Sequence, residues 1–211
     1  MRLFDEINNL SQDEVLDIES YFDEMELPDE EKEKRKEFSE SMVDVMLFIF
    51  SLFSIMRQYD YMNKQYIIGQ LQSRYSDVVL QYMDIDKVVD DYIQRFSEEI
   101  VETTLKYPDE EYYLSNDRAT LVSVNEANSI LGYRQLQEEK EKGYTRKTWI
   151  TEGDRKVRKT HREADRQTVK LEEYFLVGNS LMLFPHDNVS EYGRYAEPKE
   201  IINCRCSISY S

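Results

Sequence analysis

Several residue types that mark particular protein classes are scarce in this chain. Two cysteines among 211 residues are too few for a disulfide framework, which excludes a small disulfide-stapled scaffold. Six glycines and four prolines argue against an all-β fold, because such folds need many tight turns. We therefore expect a reduced protein that is synthesised in the cytoplasm.

Long apolar runs are also missing from the sequence. The most apolar window, Val45 to Met56, has 12 residues, whereas a membrane-spanning helix needs about 20. Asp44 and Arg57 flank this window, so we interpret it as a buried core helix. The first residues show no basic segment followed by an apolar run, and no signal peptide is expected. The sequence predicts no membrane partner.

Negative charge is abundant, and it is unevenly distributed. The net charge is −16; residues 1–112 contain 11 basic and 28 acidic residues, while residues 113–211 contain 16 and 15. An acidic surface repels nucleic acid and anionic membranes and suits basic protein partners. We predict an acidic helical region over residues 1–112 and a second domain over residues 113–211.

Helical signals dominate the acidic region. Ser11 to Glu14 form a capping-box pattern, which predicts a helix that runs to about Met25, and Pro28 follows its end. The spacing of apolar residues predicts further helices over residues 29–58, 60–72 and 84–107. Residues 75–82 give no clear signal.

The second region is predicted to contain one long helix and a small sheet. Ser115 suits the N-cap of a helix over residues 117–142, and Gly143 suits its C-cap. Alternation predicts strands over residues 145–151 and 200–210, and a hairpin whose strands, 174–177 and 181–184, flank residues 178–180. Residues 155–164 suggest a short basic helix or an irregular turn. The fold class is therefore α+β: an acidic, mostly helical N-terminal region, then a long helix and a small, mostly antiparallel sheet.

The only tryptophan, both histidines and both cysteines fall between residues 147 and 206. They belong to an ordered set of motifs that begins with the helix segment 117–128 and ends in Ile202-Asn-Cys-Arg-Cys206. This set resembles the minor head protein family of tailed phages, whose typical member is protein F of phage Mu. The positions that carry the resemblance are Trp149, Asp154, Arg158, His161, Asp165, Gln167, Phe175, Pro185, Asp187, Asn203, Cys204 and Cys206.

Two positions depart from the pattern of that family. The family usually has glycine between the aspartate and the glutamine, where this chain has Arg166. It often has Arg-Thr-Glu where this chain has Val124-Asn125-Glu126. The sequence thus resembles a divergent member.

The resemblance implies a structural protein of the phage head without catalytic residues. Such proteins are present in few copies near the portal and assist procapsid assembly. The implied partners are the portal protein and a major capsid or scaffolding protein, and the implied location is the virion. No small-molecule substrate is expected, and viral DNA is a further candidate partner.

His161, Cys204 and Cys206 can be read in three ways. Thiolates and an imidazole are good zinc ligands, and a Cys-x-Cys pair on a strand presents both sulfurs on one face. His186 or Asp187 then offers a fourth ligand. Alternatively, the cysteines are small buried residues of the core. A metal- or thiol-dependent enzyme is the third reading, and it lacks an identified oxyanion hole or orienting residue.

Asp154, Arg158 and His161 suggest a polar network. If residues 155–164 are helical, Asp154 accepts backbone N–H groups at the helix start, and the other two side chains share a face. A network that pins loops to the sheet is favoured over one that grips a ligand. Arg118 and Glu126 also share a helix face, but nothing supports a nicotinamide site there.

A basic cluster offers the alternative function of DNA-end binding or ejection with the genome. Residues 142–170 contain ten basic and four acidic residues, and phosphate contacts by such a patch are salt-dependent. A solvated basic face, or one that docks on an acidic neighbour, is the competing interpretation. The candidate DNA contacts are Lys147, Arg155, Lys156, Lys159, Arg162 and Arg166.

Overall fold

A computed structural model describes residues 16–211 of the chain. Seven α-helices lie within this range: α1 (Ile18–Asp23), α2 (Asp29–Gln58), α3 (Lys64–Val79), α4 (Lys87–Lys106), α5 (Asn116–Glu141), α6 (Lys159–Ala164) and α7 (Pro198–Ile201). The strands are β1 (Arg146–Ile150), β2 (Thr168–Lys170), β3 (Phe175–Val177), β4 (Ser180–Met182) and β5 (Ser207–Tyr210). The predicted α+β class is confirmed.

Side-chain caps set the starts of the long helices. Ser115 accepts from the backbone N–H of Arg118 at 3.2 Å and begins α5, and Asp86 accepts from that of Val89 at 2.8 Å and begins α4. Gly143, with φ of +88°, follows the end of α5 as predicted, because glycine adopts this conformation without steric cost. The capping box at residues 11–14 lies outside the described residues.

The long helices share one hydrophobic core. Helix α2 packs along α5, and α3 and α4 complete the bundle. The core joins residues from both predicted regions, including Phe38 and Phe50 of α2 and Leu121 and Leu131 of α5. The division of the chain into an acidic helical region and a second domain at residue 112 stays a prediction.

Helix α2 carries the most apolar segment of the chain. Among the described helices, only α2 is long enough and apolar enough to cross a membrane. However, 44% of its most apolar 18-residue stretch is buried inside the protein. The core helix of a globular domain can have the same length and composition. Its buried face includes Met42, Met46, Ile49 and Phe53.

All of the strand pairs in the described range are antiparallel. One sheet has the order β2-β1-β5, and β3 and β4 form a separate hairpin. In the first sheet Trp149 pairs with Ile208 and Lys147 pairs with Val169. The turn of the hairpin is Gly178-Asn179, so β4 begins one residue earlier than predicted.

Two predicted elements were wrong in extent. The predicted strand over residues 200–210 is the short helix α7, a turn and then β5, because Pro198 at the first helical position favours a helix start. Helix α3 begins later than predicted and continues over part of the segment that gave no clear signal. Residues 155–164 contain both of the alternatives that the sequence left open, a turn and then the short helix α6 from Lys159.

A buried histidine and cysteine cluster as candidate functional site

Two short segments bring His161 and the two cysteines together. His161 lies on α6, and Cys204 and Cys206 lie in the turn between α7 and β5. The assumption that both cysteines lie on a strand was therefore wrong. Asn203 has φ of +53°, a conformation that asparagine tolerates better than most residues. Its backbone reverses the chain and leads both cysteines inward.

The three side chains form a compact donor set. His161 Nδ1 lies 3.3 Å from Cys206 Sγ and 3.4 Å from Cys204 Sγ. All three residues are buried, and their donor atoms lie within 4.8 Å of one another. Both cysteines are free thiols.

Glu200 of α7 fixes the orientation of His161. Its Oε2 atom lies 3.0 Å from His161 Nε2 and accepts from Thr160 Oγ1 at 2.7 Å. A carboxylate partner on Nε2 favours the tautomer with the proton on that nitrogen. The lone pair on Nδ1 therefore faces the two sulfur atoms.

The two thiols have opposite pKa shifts. Burial raises the pKa of the Cys204 thiol, but the hydrogen bond from Cys206 and the electrostatic influence of His186 outweigh burial and hold it well below its usual value. The hydrogen bond to Cys204, together with burial, raises the pKa of Cys206. Cys204 is thus the more acidic thiol of the pair.

Aromatic rings close the cluster on the sheet side. The Trp149 ring lies edge-on to His161, with 5.8 Å between ring centroids, and edge-on to Phe175 at 5.4 Å. Both aromatic residues are fully buried. The cluster therefore sits in a second, smaller hydrophobic core, distinct from that of the helix bundle.

His186 and Asp187 lie outside the donor set of three. His186 Nε2 donates to the Cys204 carbonyl at 2.6 Å, and Tyr21 Oη donates to the same oxygen at 2.5 Å. Asp187 accepts from the backbone N–H groups of Leu183 at 2.8 Å and Ser190 at 2.9 Å. These residues support the turn before Cys206 and its neighbouring loop.

The other motif positions pin loops to the sheet. Asp154 accepts from the backbone N–H of Lys156 at 2.9 Å and pairs with Arg205 at 2.7 Å. Arg158 donates to the Ile202 carbonyl. The remaining two contacts are a bond from the Thr151 N–H to Asp165 at 2.9 Å and one from the Leu176 N–H to Gln167 at 3.3 Å. Asp154 and Arg158 thus contact loop residues, as the loop-pinning interpretation expects, but Asp154 caps a turn and not α6, and His161 contacts the cysteines and Glu200 instead.

The six candidate DNA contacts divide into two groups. Lys147 is fully buried, its ammonium donates to the Leu171 carbonyl at 2.6 Å, and burial lowers its pKa to about 8. This position removes Lys147 from any surface patch. The other five, Arg155, Lys156, Lys159, Arg162 and Arg166, are exposed. Acidic neighbours accompany some of them, as in the pair of Lys156 with Glu24 at 3.4 Å.

Two buried acidic residues have roles that sequence reasoning missed. Glu200, beside His161, gives no sequence signal, because a glutamate in a short polar segment normally faces solvent. Glu126 accepts from Tyr92 Oη at 2.8 Å and from Tyr75 Oη at 2.5 Å. Glu126 is the only charged residue between Arg118 and Arg134, and this was the available signal for its burial. Arg118, eight residues earlier, instead donates to the Tyr113 carbonyl at 2.6 Å.

A comparison with protein-family models matches the family described as phage Mu protein F like protein over residues 83–209. The matched segment includes α4, α5, both sheets and the histidine and cysteine cluster. Searches among curated proteins and among solved structures found no match. Because the family model covers more than half of the chain, the protein belongs to the phage Mu protein F-like family.

Proposed function

We propose that this protein is a structural minor head protein of a tailed phage or prophage, incorporated in few copies near the portal during procapsid assembly. Membership of the phage Mu protein F-like family carries the proposal, since it implies a role in phage head morphogenesis. The portal protein and a major capsid or scaffolding protein are the proposed partners. The protein is made in the host cytoplasm and carried in the virion, and no catalytic residues are assigned.

The charge of the chain supports a protein partner. Residues 1–112 hold 28 of the 43 acidic residues, and Asp29 and Glu30 in the first turn of α2 are exposed. Such a surface attracts a basic partner surface and raises the association rate more than the affinity.

Residues 55–66, at the junction of α2 and α3, form an exposed aromatic tip. A partner protein that binds this tip would bury apolar surface. The large apolar side chains of the tip face solvent: Ile55, Tyr59, Tyr61, Met62 and Tyr66. Tyr59 is 72% exposed and Tyr61 is 65% exposed. Tyrosine is enriched at protein interfaces, so this tip is the proposed docking point.

Quantitative mass spectrometry of purified particles tests the proposal. We expect a few copies per particle in both DNA-filled and empty heads. Absence from all particles would overturn a virion role, and presence in filled heads alone would favour the DNA-associated alternative. The double variant Tyr59→Ala/Tyr61→Ala is expected to lower incorporation at unchanged thermal stability, whereas Tyr144→Ala, an exposed tyrosine outside the tip, is the matched control.

DNA-end binding is the second candidate function. The observation that favours it is the concentration of five exposed basic side chains within residues 155–166. Phosphate contacts by these residues would give retention that falls steeply with salt.

A further inference from the structure

We propose that His161, Cys204 and Cys206 bind one zinc ion through Nδ1 and the two sulfur atoms. The proposal concerns a site within the fold and does not depend on the role in head assembly. It rests on the donor types, on their separations, on the orientation of His161 and on the space beside the sulfur atoms.

The distances between donor atoms fit a tetrahedral zinc ion. Zinc binds sulfur at about 2.3 Å and imidazole nitrogen at about 2.0–2.1 Å, which places two such donors about 3.5 Å apart in a tetrahedral site. The observed separations of His161 Nδ1 from the two sulfur atoms are 3.3 and 3.4 Å. Small side-chain movements alone would therefore admit the ion.

The orientation of His161 is that of a metal ligand. Histidines that bind zinc commonly donate their other ring nitrogen to a carboxylate, which fixes the tautomer and raises the basicity of the ligating nitrogen. Glu200 occupies this place on Nε2 at 3.0 Å, and Thr160 in turn holds Glu200. Glu200 is itself 1% exposed, so its carboxyl group lies buried beside the imidazole.

The fourth coordination position faces a small cavity. This cavity has a volume of about 20 Å³ and is lined by Glu152, Asn203 and the three donor residues, among others. A volume of this size holds one water molecule. Because His186 neither lines this cavity nor belongs to the group of donor atoms that lie close together, we assign the fourth position to water.

Zinc is the metal that this donor set selects. Thiolates are soft ligands and imidazole is a borderline one, and both suit zinc, whereas magnesium and calcium require oxygen ligands. The ion would connect α6 to the turn before β5. Its ligands His161 and Cys204 are 43 residues apart in the sequence.

Metal analysis of the full-length protein, purified under reducing conditions with zinc and then dialysed, tests the proposal. We expect one zinc per chain by inductively coupled plasma mass spectrometry. Cobalt added to metal-free protein should give thiolate-to-cobalt charge-transfer bands and the intense visible bands of a tetrahedral site. The cobalt measurement uses the natural protein, so it tests the proposal even if a variant does not fold.

Variants then assign the ligands. Cys206→Ser and His161→Gln are expected to lose zinc, whereas the control His186→Gln, another buried histidine substitution outside the donor set, should retain it. Glu200→Gln, at a positioning residue, should retain the cobalt spectrum and weaken zinc affinity about 10- to 100-fold. Zinc-free protein without cobalt charge transfer would overturn the proposal. An intrachain disulfide in the reduced preparation, or loss of zinc from His186→Gln with a native circular dichroism spectrum, would also contradict it.

Discussion

The carboxylate of Asp187 occupies the space that a β-carbon on residue 193 would fill. Its Oδ1 and Oδ2 atoms each lie 2.5 Å from that position, and the same carboxylate accepts two backbone N–H groups. Gly193 is therefore required by close approach, and the loop of residues 183–193 is built around one buried carboxylate.

Gly193→Ala is expected to destabilise the protein by about 1–3 kcal/mol, because the added methyl group must displace a buried and hydrogen-bonded carboxylate. Gly69→Ala is the matched control. Gly69 lies within α3 with no atom within 4 Å of its β-carbon position, so alanine there should stabilise by about 0.5–1 kcal/mol. Chemical denaturation of both variants measures the difference; equal effects would contradict the packing argument.

Glu126 makes the stability of the helix bundle depend on pH. Burial raises its pKa to about 7, although hydrogen bonds from Tyr75 and Tyr92 oppose that shift. Between its ordinary pKa and about 7, the native state holds a proton that the unfolded state has lost. Stability therefore falls as pH rises through this window, by about 3 kcal/mol at most.

The variant Glu126→Gln should lose that pH dependence, because glutamine stays neutral and its oxygen can still accept from a tyrosine. Glu98→Gln makes the same change at an exposed position of α4. The free energy of unfolding of this variant should depend on pH as steeply as that of the natural protein. Urea denaturation from about pH 5 to about pH 8 compares the three proteins. A Glu126→Gln slope equal to that of the natural protein would show that another group titrates.

Arg166 holds a backbone conformation that suits glycine. Its φ is +63°, and a side chain in this left-handed region costs about 1 kcal/mol. The same position is usually glycine in the phage Mu protein F pattern, so the departure seen in the sequence coincides with local strain. Asp165 and Gln167, on either side, accept backbone N–H groups, which holds the strained turn in place.

Arg166→Gly should therefore raise the free energy of unfolding, by up to about 1 kcal/mol; the greater freedom of glycine in the unfolded chain offsets part of the gain. Arg162→Gly removes the same charge from an exposed position in α6 and should cost about 1 kcal/mol. Denaturation midpoints with unchanged slopes provide the comparison. Destabilisation by both variants to the same degree would argue against strain at Arg166.

Local signals in the sequence predicted the long helices well and named the three residues that the structure brings together, His161, Cys204 and Cys206, but they did not predict the backbone that carries the cysteines. Caps such as Ser115 and breakers such as Pro28 act within one turn, so the bounds of α2 and α5 follow from nearby residues. The turn that carries Cys204 depends on the left-handed conformation of Asn203, and no local pattern distinguishes it from an alternating strand. The burial of Lys147 and Glu200 depends on distant partners, the Leu171 carbonyl and His161, which only tertiary packing brings close.

Surface charge separates the two candidate functions. The acidic residue Glu24 pairs with Lys156 and with Arg205 at 3.1 Å, so the polypeptide partly neutralises its own basic face. A test on the isolated residues 113–211 would remove this partner and the helix α2 that packs on α5. The full chain is therefore the relevant sample for any measurement of DNA binding.

For the full chain we expect little DNA retention at physiological ionic strength, since the overall charge of −16 repels phosphate. The double variant Lys159→Glu/Arg162→Glu should leave both DNA retention and incorporation into heads unchanged, because both side chains are exposed and lie outside the proposed docking tip. Lys87→Glu/Lys140→Glu, a charge reversal of equal size on the helix bundle, is the control. If the natural protein shows salt-sensitive DNA retention that only Lys159→Glu/Arg162→Glu abolishes, the basic face binds DNA. A general effect of charge would instead weaken DNA retention by both double variants to the same degree.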